Sequence, residues 1–142
     1  MTMIMESTDT KKRVVLVVED DESVRGALHV KLGEAGLAIL EAKDGVSGLI
    51  VASEQHPDLI LLDILMPAMN GWEMLKQMRE KDDWGKCVPV VVLTNLSADE
   101  DEQIRNIADL GPSFFMVKAD WRIEGVVSKV LEILNAPKVP CP

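Results

Sequence analysis

Three acids in a row, Glu19-Asp20-Asp21, close one apolar run of this sequence; Asp63 closes a second, Thr94 a third and Lys118 a fourth. Carboxylates brought together repel, and one must take a proton unless positive charge joins them. Lys118 supplies one such charge, and a hard divalent cation supplies the rest. Oxygen donors with no His or Cys among them suit Mg²⁺, or Mn²⁺, better than zinc or copper. A carboxylate beside such an ion, an ammonium and a hydroxyl offers a nucleophile, charge neutralisation and a hydrogen-bond donor. Those are the requirements of phosphoryl transfer.

These residues act together only if the ends of their runs share one rim. Runs rich in Val, Ile and Leu recur at Val14–Val18, Ala38–Glu41, Leu59–Leu62, Val88–Leu93 and Phe114–Val117. Segments of helical period lie between them. Val24, Ala27, Leu28, Leu32 and Ala35 form one stripe that Gly36 stops; Val46, Leu49 and Ile50 form the next. Asn70 and Gly71 then precede Met74, Leu75 and Met78. Ser97 and Glu100 have capping-box spacing ahead of Ile104, Ile107 and Ala108, and Asp120 is placed to cap a helix carrying Val126, Val127, Val130, Leu131 and Leu134. Strands alternating with helices predict βαβ units, and continuous apolar strands predict a parallel sheet covered on both faces. The expected fold is therefore α/β: a doubly wound (βα)5 three-layer sandwich. Ligands of such sheets bind beyond the carboxyl ends of the strands. If the strand order is 2-1-3-4-5, strands 1 and 3 are neighbours and Asp20 comes close to Asp63. Glu41, ending the second run, takes no part in this reading.

The chain has 142 residues, 47% of them hydrophobic, which suits one domain with a real core. Residues 12–135 are expected to form it, with tails at 1–11 and 136–142. A net charge of −9, with no cluster of Lys and Arg, argues against nucleic acid as a partner. No apolar run approaches a membrane span, and residues 1–12 lack the pattern of a signal peptide. The two cysteines, Cys87 and Cys141, lie far apart in sequence, so the expectation is a reduced cytoplasmic protein with Cys87 packed as a small core residue. His29, His56 and the three Trp residues read as packing or surface residues.

The segments Val17-Val18-Glu19-Asp20-Asp21-Glu22, Leu62-Asp63-Ile64-Leu65-Met66-Pro67 with Asn70-Gly71, Leu93-Thr94 and Val117-Lys118 resemble the receiver domain of two-component response regulators. The resemblance runs from about Arg13 to Leu134. It implies a flavodoxin-like fold of the stand-alone single-domain type. It also implies that Asp63 accepts a phosphoryl group from the phosphohistidine of a sensor histidine kinase or phosphotransfer protein. Asp20 and Asp63 would ligate Mg²⁺, Glu19 would act largely through water, and the carbonyl of Leu65 would be a further ligand. Thr94 would donate to the phosphoryl group, Lys118 would pair with Asp63, and Phe115 stands where the family has a switch aromatic. The domain would act through a downstream protein, as a monomer or a phosphorylation-dependent dimer.

The pattern departs from the family at Ala119, where Pro commonly follows the Lys, and at Leu65 and Leu96, two residues beyond Asp63 and Thr94. Apolar side chains at the latter positions cannot orient an attacking water, so a long-lived phosphorylated state is expected. A receiver-like binding module that takes no phosphate is the alternative, and Ala119 is the residue that favours it. A phosphatase of the haloacid dehalogenase type would need an acid where Leu65 stands. A flavin binder would meet repulsion from Glu19-Asp20-Asp21.

Overall fold

The computed structural model of the protein describes residues 12–94, 105–106, 108–117, 122–137 and 141. The chain alternates as expected: β1 (Val14–Val18), α1 (Glu22–Glu34), β2 (Ala38–Ala42), α2 (Gly45–Gln55), β3 (Leu59–Asp63), α3 (Gly71–Lys81), α4 (Asp83–Cys87), β4 (Val90–Thr94), β5 (Phe114–Val117) and α5 (Ile123–Asn135). Residues 105–106 and 108–110, ahead of β5, are also helical. The five strands form one parallel sheet in the order β2-β1-β3-β4-β5.

Strand side chains alternate between two cores. Leu16, Val18, Ile60, Leu62, Val90 and Val92 face Ala52 of α2 and Trp72, Met74, Leu75 and Met78 of α3. Val15, Val17, Leu59, Leu61, Val91 and Leu93 face Leu28 and Leu32 of α1 and Val126 and Val130 of α5. Burial on both faces is why the strands are apolar without a break, and β3, the central strand, is buried along its whole length.

Local polar chemistry starts the helices. The Asp21 carboxylate accepts from the N–H groups of Ser23 (2.9 Å) and Val24 (3.2 Å). Asp44 accepts from Ser47 N–H at 2.7 Å, and Asn70 from Glu73 N–H at 2.9 Å. These bonds satisfy donors that the first helical turn leaves open. At α5 the N-cap position falls to Arg122, with no side-chain cap bond; Asp120 lies outside the described residues, as do Ser97 and Glu100.

Three expectations need correction. First, α2 does not bury Val46 and Ile50, which are 47% and 53% exposed. Its inner face is Gly45, Gly48 and Ala52. A Cβ at Gly48 would stand 3.0 Å from both Val18 and Met74, so the helix packs too closely for a larger residue there. Second, β4 starts at Val90 rather than Val88. The Val88 N–H is committed to the Trp84 carbonyl (3.0 Å), closing α4, a short helix started by the Asp82 side chain on Gly85 N–H (2.7 Å). Third, the cysteines are not reduced as expected, and Cys87 is not a core residue. Cys87, exposed at the end of α4, is bonded to Cys141, with their Cα atoms 5.7 Å apart. The fold returns the chain after α5 to the amino-terminal end of the sheet, a meeting that spacing along the chain does not disclose.

That end also holds a cleft of about 710 Å³ between Arg13, Asp58, Trp84, Ser113, Leu134 and Cys141. His56, at the left-handed end of α2 (φ 44°), stacks on Trp84 with ring centroids 4.2 Å apart. Beside it, Arg79 of α3 donates to four carbonyls: Leu110 (3.0 Å), Gly85 (2.9 Å), Val88 (2.7 Å) and Gly111 (3.2 Å). Burial pulls this guanidinium below its ordinary pKa.

Candidate functional site

The carboxyl ends of β1 and β3 are adjacent because Val18 pairs in register with Leu62. The next residues on each side are Glu19 and Asp63, both buried, while Asp20 is exposed. One carboxylate oxygen from each of Glu19, Asp20 and Asp63 lies within 4.8 Å of the other two. The expected meeting of Asp20 with Asp63 is therefore present. Among the described residues this is the one such group of acids.

Backbone hydrogen bonds hold the rim on both sides. Glu19 N–H donates to the Ala42 carbonyl at 3.0 Å, and Asp21 N–H donates to Glu19 Oε2 at 3.2 Å. Ile64 N–H donates to the Leu93 carbonyl (3.2 Å), and Gly71 N–H to the Ile64 carbonyl (2.9 Å). The start of α3 is thus folded back on the end of β3. A Cβ at Gly71 would lie 2.3 Å from the Asp63 carbonyl and 2.9 Å from Ile64 Cα. Only a glycine permits this approach.

Thr94 is the last residue of β4, one beyond Leu93, which pairs with Asp63, so its backbone reaches the same rim. Lys118 follows β5 directly but lies outside the described residues, as do Asn95, Leu96 and Ala119. The side chain of Leu65, two residues beyond Asp63 in sequence, is exposed. The adjacent aromatics of β5 face opposite sides of the sheet, as strand geometry requires. Phe115 packs parallel to Trp72, with ring centroids 6.3 Å apart, and Phe114 lies under Lys129 Nζ at 4.2 Å.

The sequence reading passed over Glu41 and Arg25. Arg25 Nε donates to Glu41 Oε1 at 2.9 Å, and Arg25 Nη1 donates to the Glu19 carbonyl at 2.8 Å. His29 Nδ1 bonds the other oxygen of Glu41. Burial pulls the Glu41 carboxyl up, but the His29 and Arg25 hydrogen bonds outweigh it and hold the group below its ordinary pKa. A signal was present: Arg25 stands next to Val24 within the apolar stripe of α1, where a charge needs a partner.

A parallel sheet of order 2-1-3-4-5 flanked by helices defines the doubly wound, flavodoxin-like class of α/β proteins, and comparison with known proteins names the family. The profile of the response regulator receiver domain matches residues 15–126. The chain belongs to this family, the receiver domains of two-component systems. A probable transcriptional regulator, ycf27, of Porphyridium aerugineum is 32% identical over 126 residues, covering 84% of this chain and 50% of that protein. The transcriptional regulatory protein AfsQ1 of Streptomyces coelicolor is 36% identical over 87 residues, covering 61% of this chain and 37% of that protein. The chain thus spans half or less of the length of these curated relatives. Among solved structures, the chemotaxis response regulator CheY4 of Vibrio cholerae superposes with a TM-score of 0.75 at 29% identity, over 87% of this chain and 99% of that one. No helix among the described residues is long and apolar enough to cross a membrane.

Proposed function

We propose that this domain is a phosphorylation switch whose acceptor is Asp63. A carboxylate oxygen of Asp63 attacks the phosphorus of a phosphohistidine on a sensor histidine kinase or phosphotransfer protein. The P–N bond breaks, the imidazole leaves and takes a proton, and an aspartyl phosphate forms. The donor set fits a hard divalent cation: three carboxylates, converging within 4.8 Å, two of them buried. Glu19, Asp20, Asp63 and the Leu65 carbonyl would hold Mg²⁺, or Mn²⁺, which when bound neutralises the charge that gathers on the phosphoryl oxygens. Asp63 supplies the nucleophile, Thr94 donates its hydroxyl to the phosphoryl group, and Lys118 pairs with a phosphoryl oxygen. Thr94 and Phe115 then report phosphorylation to the surface, shifting an existing equilibrium toward a partner-binding form.

The convergence of Glu19, Asp20 and Asp63 at the carboxyl rim carries this reading. The downstream partner is another protein, and the domain acts as a monomer or as a dimer formed on phosphorylation, in the cytoplasm. With its net charge of −9 the chain does not itself bind nucleic acid. Relatives named as transcriptional regulators extend well beyond the matched region. Incubation with Mg²⁺ and a small phosphodonor, followed by intact mass, tests the proposal. The expected gain is one phosphoryl group, absent from Asp63→Asn and from samples with chelator. A folded protein that gains nothing from any donor sinks it.

A further inference from the structure

The acids Glu19 and Asp20 stand on a three-residue link between β1 and α1, and one guanidinium fastens that link from behind. Arg25 Nη1 holds the Glu19 carbonyl at 2.8 Å while its Nε is held by Glu41 of β2 at 2.9 Å. Glu41 is fixed in turn by His29. The Glu19 carbonyl belongs to the peptide joining Glu19 to Asp20, so the bond sets the direction in which both carboxylates leave the backbone. On the other side of the residue, Glu19 N–H is tied to Ala42 of β2 at 3.0 Å. The Arg25 side chain is only 17% exposed, and its planar fork spans two acceptors at once, which an ammonium cannot do in the same geometry.

We propose that Arg25, oriented by Glu41, is a positioning residue for cation binding: it holds the Glu19–Asp20 peptide so that these two carboxylates meet Asp63. This rests on reading the acids as a divalent-cation site. Two roles open to an arginine here have opposite signs. As a bare positive charge it repels an incoming cation, and its removal tightens binding. As an orienting partner of the residues that bind the cation, its removal loosens binding, typically by about 10- to 100-fold. Glu41 offsets the charge of Arg25 locally, which leaves the positional effect dominant.

Titration of the full chain with Mn²⁺, followed by electron paramagnetic resonance of the free ion and with no phosphodonor present, separates the two. Arg25→Gln is expected to bind Mn²⁺ about tenfold more weakly than the parent, although it removes a positive charge. Arg25→Lys keeps the charge and can reach one acceptor, so its affinity should fall between the two. Circular dichroism confirms that each variant is folded, and the Lys variant carries the test if Arg25→Gln does not fold. Equal or tighter binding by Arg25→Gln, or parental affinity in Arg25→Lys, overturns the positioning role. A folded parent that binds no Mn²⁺ instead overturns the reading of the pocket itself.

Discussion

Replacing Cys141 with Ser should lower stability by an amount set by the loop it opens. Cys87 and Cys141 are 54 residues apart. The bond denies the unfolded chain every conformation in which those ends separate, and for a loop of that length the chain-entropy estimate is about 4 kcal/mol at 25 °C. Domains of this size are stable by only about 5–15 kcal/mol, so the variant should unfold at a visibly lower urea concentration. The sulfurs lie at the amino end of the sheet, away from the acids, so Mn²⁺ affinity should stay at the parental value. Urea unfolding of the oxidised parent, the parent in dithiothreitol, Cys141→Ser, Cys87→Ser and the double variant is the assay. The last four should coincide, because each lacks the same single bond and nothing else is shared between them. Coincidence of all five midpoints, or two titratable thiols that persist in the folded parent after treatment with oxidised glutathione, would refute the reasoning. In a reducing cytoplasm the bond opens by taking two electrons and two protons from a dithiol, and the protein there should show the lower stability.

Gly71→Ala places a methyl 2.3 Å from the Asp63 carbonyl; the resulting shift should cost about 1–3 kcal/mol in urea unfolding and slow phosphoryl uptake at Asp63 as well. Asp44→Ala removes a helix cap and should cost about 1 kcal/mol at neutral pH. Hydrogen bonds from Ser47 hold the Asp44 carboxyl below its ordinary value of 3.8, so its contribution is complete above that value and fades as pH falls below it. Urea midpoints of parent and variant should therefore converge in acid; a deficit unchanged by pH would contradict the charged cap. With Leu at 65 and 96, phosphorylated protein freed of donor should keep its label for minutes or longer, read by intact mass, and loss within seconds would contradict that expectation.

The strands were legible because a sheet covered on both faces demands unbroken apolar runs, and Val14–Val18 and Phe114–Val117 are bounded by the sequence as they are in the fold. The acids were legible because they close those runs. What the reading missed depends on partners from other elements. In α2 the apolar residues Val46 and Ile50 drew the stripe, whereas the packing face is made of Gly45 and Gly48, which periodicity of hydrophobic residues cannot weigh. The bond between Cys87 and Cys141 and the Arg25–Glu41 pair join elements whose approach only the folded topology decides.

Arg79 has a consequence of its own. Its charge is met by four peptide dipoles, from Leu110, Gly85, Val88 and Gly111. Dissolved ions weaken attraction between exposed opposite charges far more than a short, sheltered bond to a carbonyl. The joint between α3, α4 and the approach to β5 should accordingly hold as firmly in brine as in dilute buffer, while the exposed pair of Lys31 Nζ and Glu34 Oε1 on α1, 3.5 Å apart, loosens.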